Sequence, residues 1–324
     1  MNRKLYISAL AGLLLAACAG AVVTSQPWAP LAGADGWADE TISTRPVGLG
    51  LPGGAVLASG VSYAGGLEIR TSAQSPIRSL SDLKLTGNGG FVSVSDVGDL
   101  ILGQLVLDAN GELKDIEQVR QRRLTLIDNQ RISDKVDGDA EGLTLLPNGD
   151  LLVSFERNHR IWNYGPLNAL QTPKRVVQPR FDFTENDGME ALATAQGGWR
   201  VAGESGGVWD CNIVQCDVVV APPATTLSDS DYRITGMDVD PSGGWFVVLR
   251  SYTPPVDARA QVRHMDVSGN LGPVLISLKL PGTTDNFEGI AAERKGDKTR
   301  LYILSDDNFS TVQRTLMLAF DVRD

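Results

Sequence analysis

The chain has little histidine, little cysteine and little charge. Its 324 residues include two histidines, His159 and His264, so a site built from three histidines is excluded. Three cysteines, Cys18, Cys211 and Cys216, cannot supply the two CxxC pairs of a zinc ribbon. Only 21% of residues are charged, and 29 Lys and Arg stand against 39 Asp and Glu, a formal net charge of -10. An acidic chain cannot gain the counterion release that drives binding to a phosphate backbone, which excludes nucleic acid as a partner. What is present is glycine, 35 residues of it, and 42% hydrophobic residues. That balance suits a turn-rich sheet protein with a real core better than a helical bundle.

The N-terminus reads as an export signal. Asn2, Arg3 and Lys4 form a positive head, and Leu5 to Ala17 form an apolar run too short to span a bilayer. Residues 1–17 are therefore expected to be a signal of the lipoprotein type. Leu15-Ala16-Ala17-Cys18 resembles a bacterial lipobox, whose cysteine becomes the lipidated N-terminus, and the residue after it is Ala19 rather than an Asp that would favour inner-membrane retention. The expectation is a periplasmic protein anchored to the outer membrane through Cys18, with no other membrane contact. Cleavage after Ala17-Cys18-Ala19, giving a soluble periplasmic protein, is the alternative. Residues 18–40, rich in Ala, Gly, Pro and Ser without a period, read as a tether, and 41–324 as one monomeric domain. In an oxidising compartment Cys211 and Cys216 are expected to form a local disulfide across a surface hairpin.

An internal repeat runs through the domain. Five segments begin with a small apolar motif, pass a Gly or Asn turn and continue as an alternating apolar strand. Their equivalent positions, Asp82, Glu141, Glu190, Gly236 and Glu288, lie roughly 50 residues apart, the period of a four-stranded propeller blade. Residues 42 to 70, with Pro52-Gly53-Gly54 as a turn, read as a degenerate sixth unit. The sequence thus predicts an all-β fold, a single β-propeller of six four-stranded blades, with five or seven the alternatives. The last strand, Leu316 to Val322, is expected to pair with N-terminal strands and close the ring.

The repeat also gathers acids. Glu141, Glu190 and Glu288 recur at the start of the expected innermost strands. Asp96, Glu156, Glu204 and Asp306 recur at the end of the next strand, where the fourth unit has Arg250. Like charges so close need cations, raised pKa values or hydrogen bonds. Arg157, Arg160 and Arg250 are candidate partners, and Ca²⁺, which takes oxygen ligands and needs no histidine, is the candidate cofactor. On this reading Glu141, Glu190, Glu288 and Asp306 are catalytic, and Glu141, Glu288 and Asp96 are metal ligands. Arg157, His159, Arg160 and Arg250 bind substrate. The alternative is that each Glu merely accepts backbone N–H bonds and staples blades together. Gly203-Glu204-Ser205-Gly206-Gly207 matches G-x-S-x-G, but the run from Val208 to Val220 is strand-like, whereas a nucleophile elbow turns into a helix.

Taken together, several stretches resemble the bacterial phytase-like family, described as having esterase-like activity of phytase. They are Phe91 to Asp96, Asp139 to Leu143, Ser154 to Arg157 with His159 to Ile161, Gly188 to Ala193, Asp285 to Ile290, and Leu304 to Phe309 with Gln313 to Thr315. The resemblance implies an exported β-propeller that hydrolyses a phosphate or carboxylic ester, its partner a small-molecule ester. One departure is Val97, where this family commonly has a basic residue after Ser95-Asp96. A non-catalytic binding or scaffold propeller with a partner in the cell envelope is the competing reading, because fold does not imply function.

Overall fold

The computed structural model describes residues 36–72, 75–254 and 257–323. The expected signal, Cys18 and most of the expected tether lie outside the described residues. Four strands come first: β1 (Ala38–Asp39), β2 (Ser43–Pro46), β3 (Ala55–Leu57) and β4 (Val61–Arg70). Blade one is β5 (Leu80–Gly87), β6 (Gly90–Ser95), β7 (Asp99–Leu107) and β8 (Leu113–Arg123). Blade two is β9 (Ala140–Leu145), β10 (Asp150–Phe155), β11 (Arg160–Pro166) and β12 (Lys174–Arg175). Blade three is β13 (Ala191–Ala195), β14 (Gly198–Ala202), β15 (Val208–Cys211) and β16 (Cys216–Val220). Blade four is β17 (Arg233–Val239), β18 (Trp245–Thr253), β19 (Asp257–Met265) and β20 (Leu271–Leu278). The last blade is β21 (Asn286–Lys295), β22 (Lys298–Asp306), β23 (Thr315–Arg323) and, from the other end of the chain, β4. A single helical turn, Lys135–Gly138, precedes β9, and no helix among the described residues is long and apolar enough to cross a membrane.

The ring has five blades, not the six expected. The innermost strands β5, β9, β13, β17 and β21 pack on one another in that order, and β21 returns to β5. Five hydrophobic clusters fill the five gaps between blades: Val92 and Val94 of blade one meet Leu143 and Phe155 of blade two, and Leu67, Met317 and Tyr302 of the last blade meet Leu83 and Phe91 of blade one. The unit expected over residues 42–70 does not form a blade. It has strand-like alternation but no acid-and-small inner strand, so its pieces serve as edges. β2 and β4 extend the last blade, and β3 covers the outer edge of blade four. Ring closure follows the expectation, with Leu316 of β23 paired to Glu68 of β4. Trp37 is buried against blades one and two and β1 pairs with β8, so the fold includes residues expected to belong to the tether.

The small residue of the repeat has a steric cause. A Cβ on Gly142 would stand 2.6 Å from the Glu190 carbonyl oxygen, and one on Gly236 would stand 2.1 Å from that of Glu288. Neighbouring inner strands approach that closely only because a glycine lies between them. The Cys211–Cys216 disulfide joins β15 and β16 across their hairpin, as expected.

Candidate active site

Each inner strand starts, and each second strand ends, at the same mouth of the channel, so the recurring acids converge there. Asp96, Asp139, Glu141, Glu156, Glu190, Glu204, Glu288 and Asp306 line one cavity of about 180 Å³ together with Lys135, Arg157 and Arg250. Two carboxylate triads, Asp139/Glu141/Glu156 and Glu156/Glu190/Glu204, have oxygens within 4.8 Å of one another, and Glu156 belongs to both.

The cations sit around this cluster. Lys135 Nζ lies 2.6 Å from Asp96 Oδ2 and 2.7 Å from Asp139 Oδ1, and Arg157 Nε donates to Asp139 Oδ2 at 2.5 Å. Arg250 Nη2 donates to Glu204 Oε1 at 2.8 Å, its Nη1 lies 3.6 Å from Glu288 Oε1, and it also bonds Asn286. Three cations do not balance eight carboxyl groups. Burial, then repulsion from Glu190 and Asp139, holds the Glu141 carboxyl well above the usual range, and burial with Glu204 and Glu156 does the same to Glu190. Asp306 is raised well above its range by burial and by Glu288, and Asp96 is raised chiefly by burial. Glu156 is pushed up to about 8 and Glu288 to about 7, in both cases mainly by desolvation, with Arg250 opposing the rise at Glu288.

Backbone stapling falls to Asp82, Asp238 and, within the well, Glu156, whose Oε1 accepts from the Gly188 N–H at 3.2 Å. Asp82 Oδ2 accepts from the Leu143 N–H at 3.1 Å and Asp238 Oδ2 from the Ala292 N–H at 2.8 Å, each tying one inner strand to the next. Among the described residues no donor hydrogen-bonds the Glu141 or Glu190 carboxylate, and Asp96 Oδ1 is buried without a partner. Oxygen-only donors, unpaired and crowded, could hold a hard metal ion, and the residues present fit one that prefers carboxylates.

Most of the site residues expected from the sequence meet here: Asp96, Glu141, Arg157, Glu190, Arg250, Glu288 and Asp306. Arg160 and His159 do not. Arg160 opens β11 and turns to the opposite face, its guanidinium 3.9 Å from the Phe155 ring centroid and 4.3 Å from that of Trp162, bonded to the Asn158 and Asp137 carbonyls. His159 Nε2 is 2.8 Å from the Thr184 carbonyl oxygen, and its ring packs on Phe183. Ser205 lies in the turn between β14 and β15, strand to strand, so the G-x-S-x-G match is no elbow. Lys135, Arg233 and Arg314 are site residues that the sequence expectation lacks. Lys135 belongs to an insertion with no counterpart in the other repeats; Arg314 lies within the family-like stretch Gln313 to Thr315 but was given no role there.

A second, larger cleft of about 700 Å³ opens between blades four and five and shares Glu204, Arg250 and Asn308 with the acidic cavity. Arg157 in the acidic cavity and Asn308 at the junction hold positive φ of 54° and 47°, the left-handed region that costs a non-glycine residue energy and often marks functional sites.

Ring and cavity together define a five-bladed β-propeller with a carboxylate-lined channel mouth able to hold a metal ion. The chain belongs to the phytase-like family, described as esterase-like activity of phytase, which it matches over residues 75–309. No curated protein sequence matches it. Similar solved structures include a protein described as a gluconolactonase, at 13% identity and TM-score 0.46 over 87% of this chain and 93% of that one. A Bacteroides thetaiotaomicron protein of unknown function has 12% identity and TM-score 0.46 over 88% and 76%. The WD40 propeller domain of Doa1 has 12% identity and TM-score 0.42 over 81% and 97%.

Proposed function

We propose that the protein is an exported, lipid-anchored hydrolase of a phosphate or carboxylic ester that uses a divalent cation, Ca²⁺ by the chemistry of its donors. The observation that carries this reading is the junction of the two cavities. An acidic well suited to a cation meets, at Glu204, Arg250 and Asn308, a cleft lined by Arg233, Arg250 and Arg314 that suits an anion. Glu156, shared by the two carboxylate triads, would hold the cation together with Glu141 in one or Glu190 in the other. When bound, it supplies the positive charge that lets several of these carboxylates ionise together and that polarises an ester oxygen.

The chain's own groups do the rest. Arg250, fixed by Glu204 and Asn286, orients the anionic part of the ester at the junction. Glu288, pushed up to about 7, holds a proton that can move near neutrality. Water adds at the phosphorus or carbonyl carbon, the bond to the alcohol oxygen breaks, and that oxygen leaves with a proton.

The test is turnover of generic phosphate and acetate esters by the purified protein, with Ca²⁺ and with chelator. Cation-dependent turnover lost in Glu141→Gln and Glu288→Gln supports the reading. Absence of any turnover that these substitutions abolish leaves a non-catalytic binding propeller instead. The anchor is tested separately by palmitate labelling of the expressed chain, which Cys18→Ser should eliminate.

A further inference from the structure

The larger cleft has the volume of a small-molecule site, about 700 Å³. Two parts of its lining bear on the ligand. Tyr252, Leu280 and Val312 are apolar and solvent-facing, 39%, 50% and 86% exposed, although each borders a polar channel mouth. Arg233, Arg250 and Arg314 are cationic, but each faces an acid that also lines the cleft: Asp229 at 3.5 Å, Glu204 at 2.8 Å and Asp285 at 3.2 Å. The cleft therefore offers little net positive charge, and the well behind it has eight carboxyl groups against three cations. A polyanion finds no surplus of positive charge in the cleft to offset repulsion from the acid-rich well behind it.

The guanidiniums are not equally committed. Arg233 is 13% and Arg250 25% exposed, and their shortest acid contacts are 2.8 Å. Arg314 is 37% exposed, with contacts of 3.2 Å to Asp285 and to the Thr284 carbonyl. It is the cation freest to turn toward one incoming anionic group.

We infer that the site takes an ester carrying one anionic group on an apolar body, of the class of aryl or medium-chain alkyl phosphates, and rejects polyphosphorylated substrates. This rests on the hydrolase reading for turnover, but the ligand class has its own binding test. Arg314 turns to join Arg250 on the anionic group, and the apolar body lies against Tyr252, Leu280 and Val312, removing their exposed surface from water.

Calorimetric titration of the full protein in Ca²⁺ with 1-naphthylphosphonate, methylphosphonate and fructose 1,6-bisphosphate reads this directly. The naphthyl probe should bind at least tenfold more tightly than either of the others. Val312→Asp and, as a second variant, Leu280→Ser should weaken it about fivefold or more, and Arg314→Gln should weaken both phosphonates alike. Bisphosphate binding as tight as that of the naphthyl probe, or naphthyl binding indifferent to Val312→Asp, overturns the inference. Naphthylphosphonate binding without turnover of either 1-naphthyl phosphate or 1-naphthyl acetate would uphold the ligand class and sink the hydrolase reading. Turnover that prefers the bisphosphate would do the reverse.

Discussion

Arg250 on β18 reaches across the channel mouth to Glu204, which lies just beyond β14 in the neighbouring blade, and the two meet at 2.8 Å. The pair ties blade three to blade four at the junction of the two cavities. Arg250→Gln leaves Glu288 without its cation and Glu204 with only Arg233, at 3.8 Å, and stability should fall by about 3 kcal/mol, the usual cost of orphaning a buried charge. Glu204→Gln should cost less, because Arg250 keeps Glu288 and Asn286 as partners. Urea unfolding of the two single variants and the double variant should give a coupling of about 1 to 2 kcal/mol. Strict additivity would show that the contact carries no energy of its own.

Stability of the cation-free protein should fall as pH rises. Glu156 and Glu288 are raised from the ordinary 4.5 to about 8 and about 7. Between about pH 4.5 and 8 the folded protein therefore keeps protons that the unfolded chain has released. Rising pH favours the form that binds fewer protons, the unfolded one. Thermal scans in chelator should show Tm dropping from pH 5 to pH 9, with a smaller drop in millimolar Ca²⁺. A Tm that climbs over this range would contradict the crowded, buried cluster.

Arg157 and Arg160 should separate cleanly. Arg160→Ala removes the contacts with the Phe155 and Trp162 rings and two carbonyl bonds, and should cost about 2 kcal/mol while the response to Ca²⁺ stays the same. Arg157→Ala removes one of the two cations on Asp139, leaving Lys135, and should tighten Ca²⁺ binding, about fivefold, with a smaller effect on stability. Calorimetric titration and unfolding curves on both variants decide the matter. Reversed effects would mean that Arg160, not Arg157, belongs to the site.

Replacing Cys211 and Cys216 by Ser opens a short loop and should cost about 2 kcal/mol, since a small closed loop restrains the unfolded chain only modestly. Tm should fall by about 4 °C. Because the bridge joins the two outer strands of blade three, Ca²⁺ stabilisation should not change. A lost cation response would place the bridge in communication with the well.

The inner strands were the legible part of the sequence. An acid and a small residue recur at them together, with local causes: Gly142 and Gly236 admit the neighbouring backbone, Glu141, Glu190 and Glu288 face the channel, and Asp82 and Asp238 tie one inner strand to the next. Edge strands carry no such mark. β2, β3 and β4 alternate like any strand, so nothing in residues 42–70 distinguishes a sixth blade from trim on the blades already present. The site was legible where it repeats. It failed at Arg160, because a strand sends successive side chains to opposite faces and its start after Arg157 could not be placed to one residue. Lys135 was missed because it stands in an insertion between blades.

The pairing of Leu316 with Glu68 has a consequence for how the molecule assembles. Blades one to four are chains of hairpins, and each can form from contiguous sequence. The last blade joins β4, synthesised early, to β23, synthesised last, so its closure spans almost the whole domain and bears the entropy of that loop. Until β23 arrives, Val61–Arg70 lacks the partner that covers one of its edges. Folding should therefore end with this seam, and a chain stalled or clipped before Thr315 would display an open strand ready to recruit a second molecule.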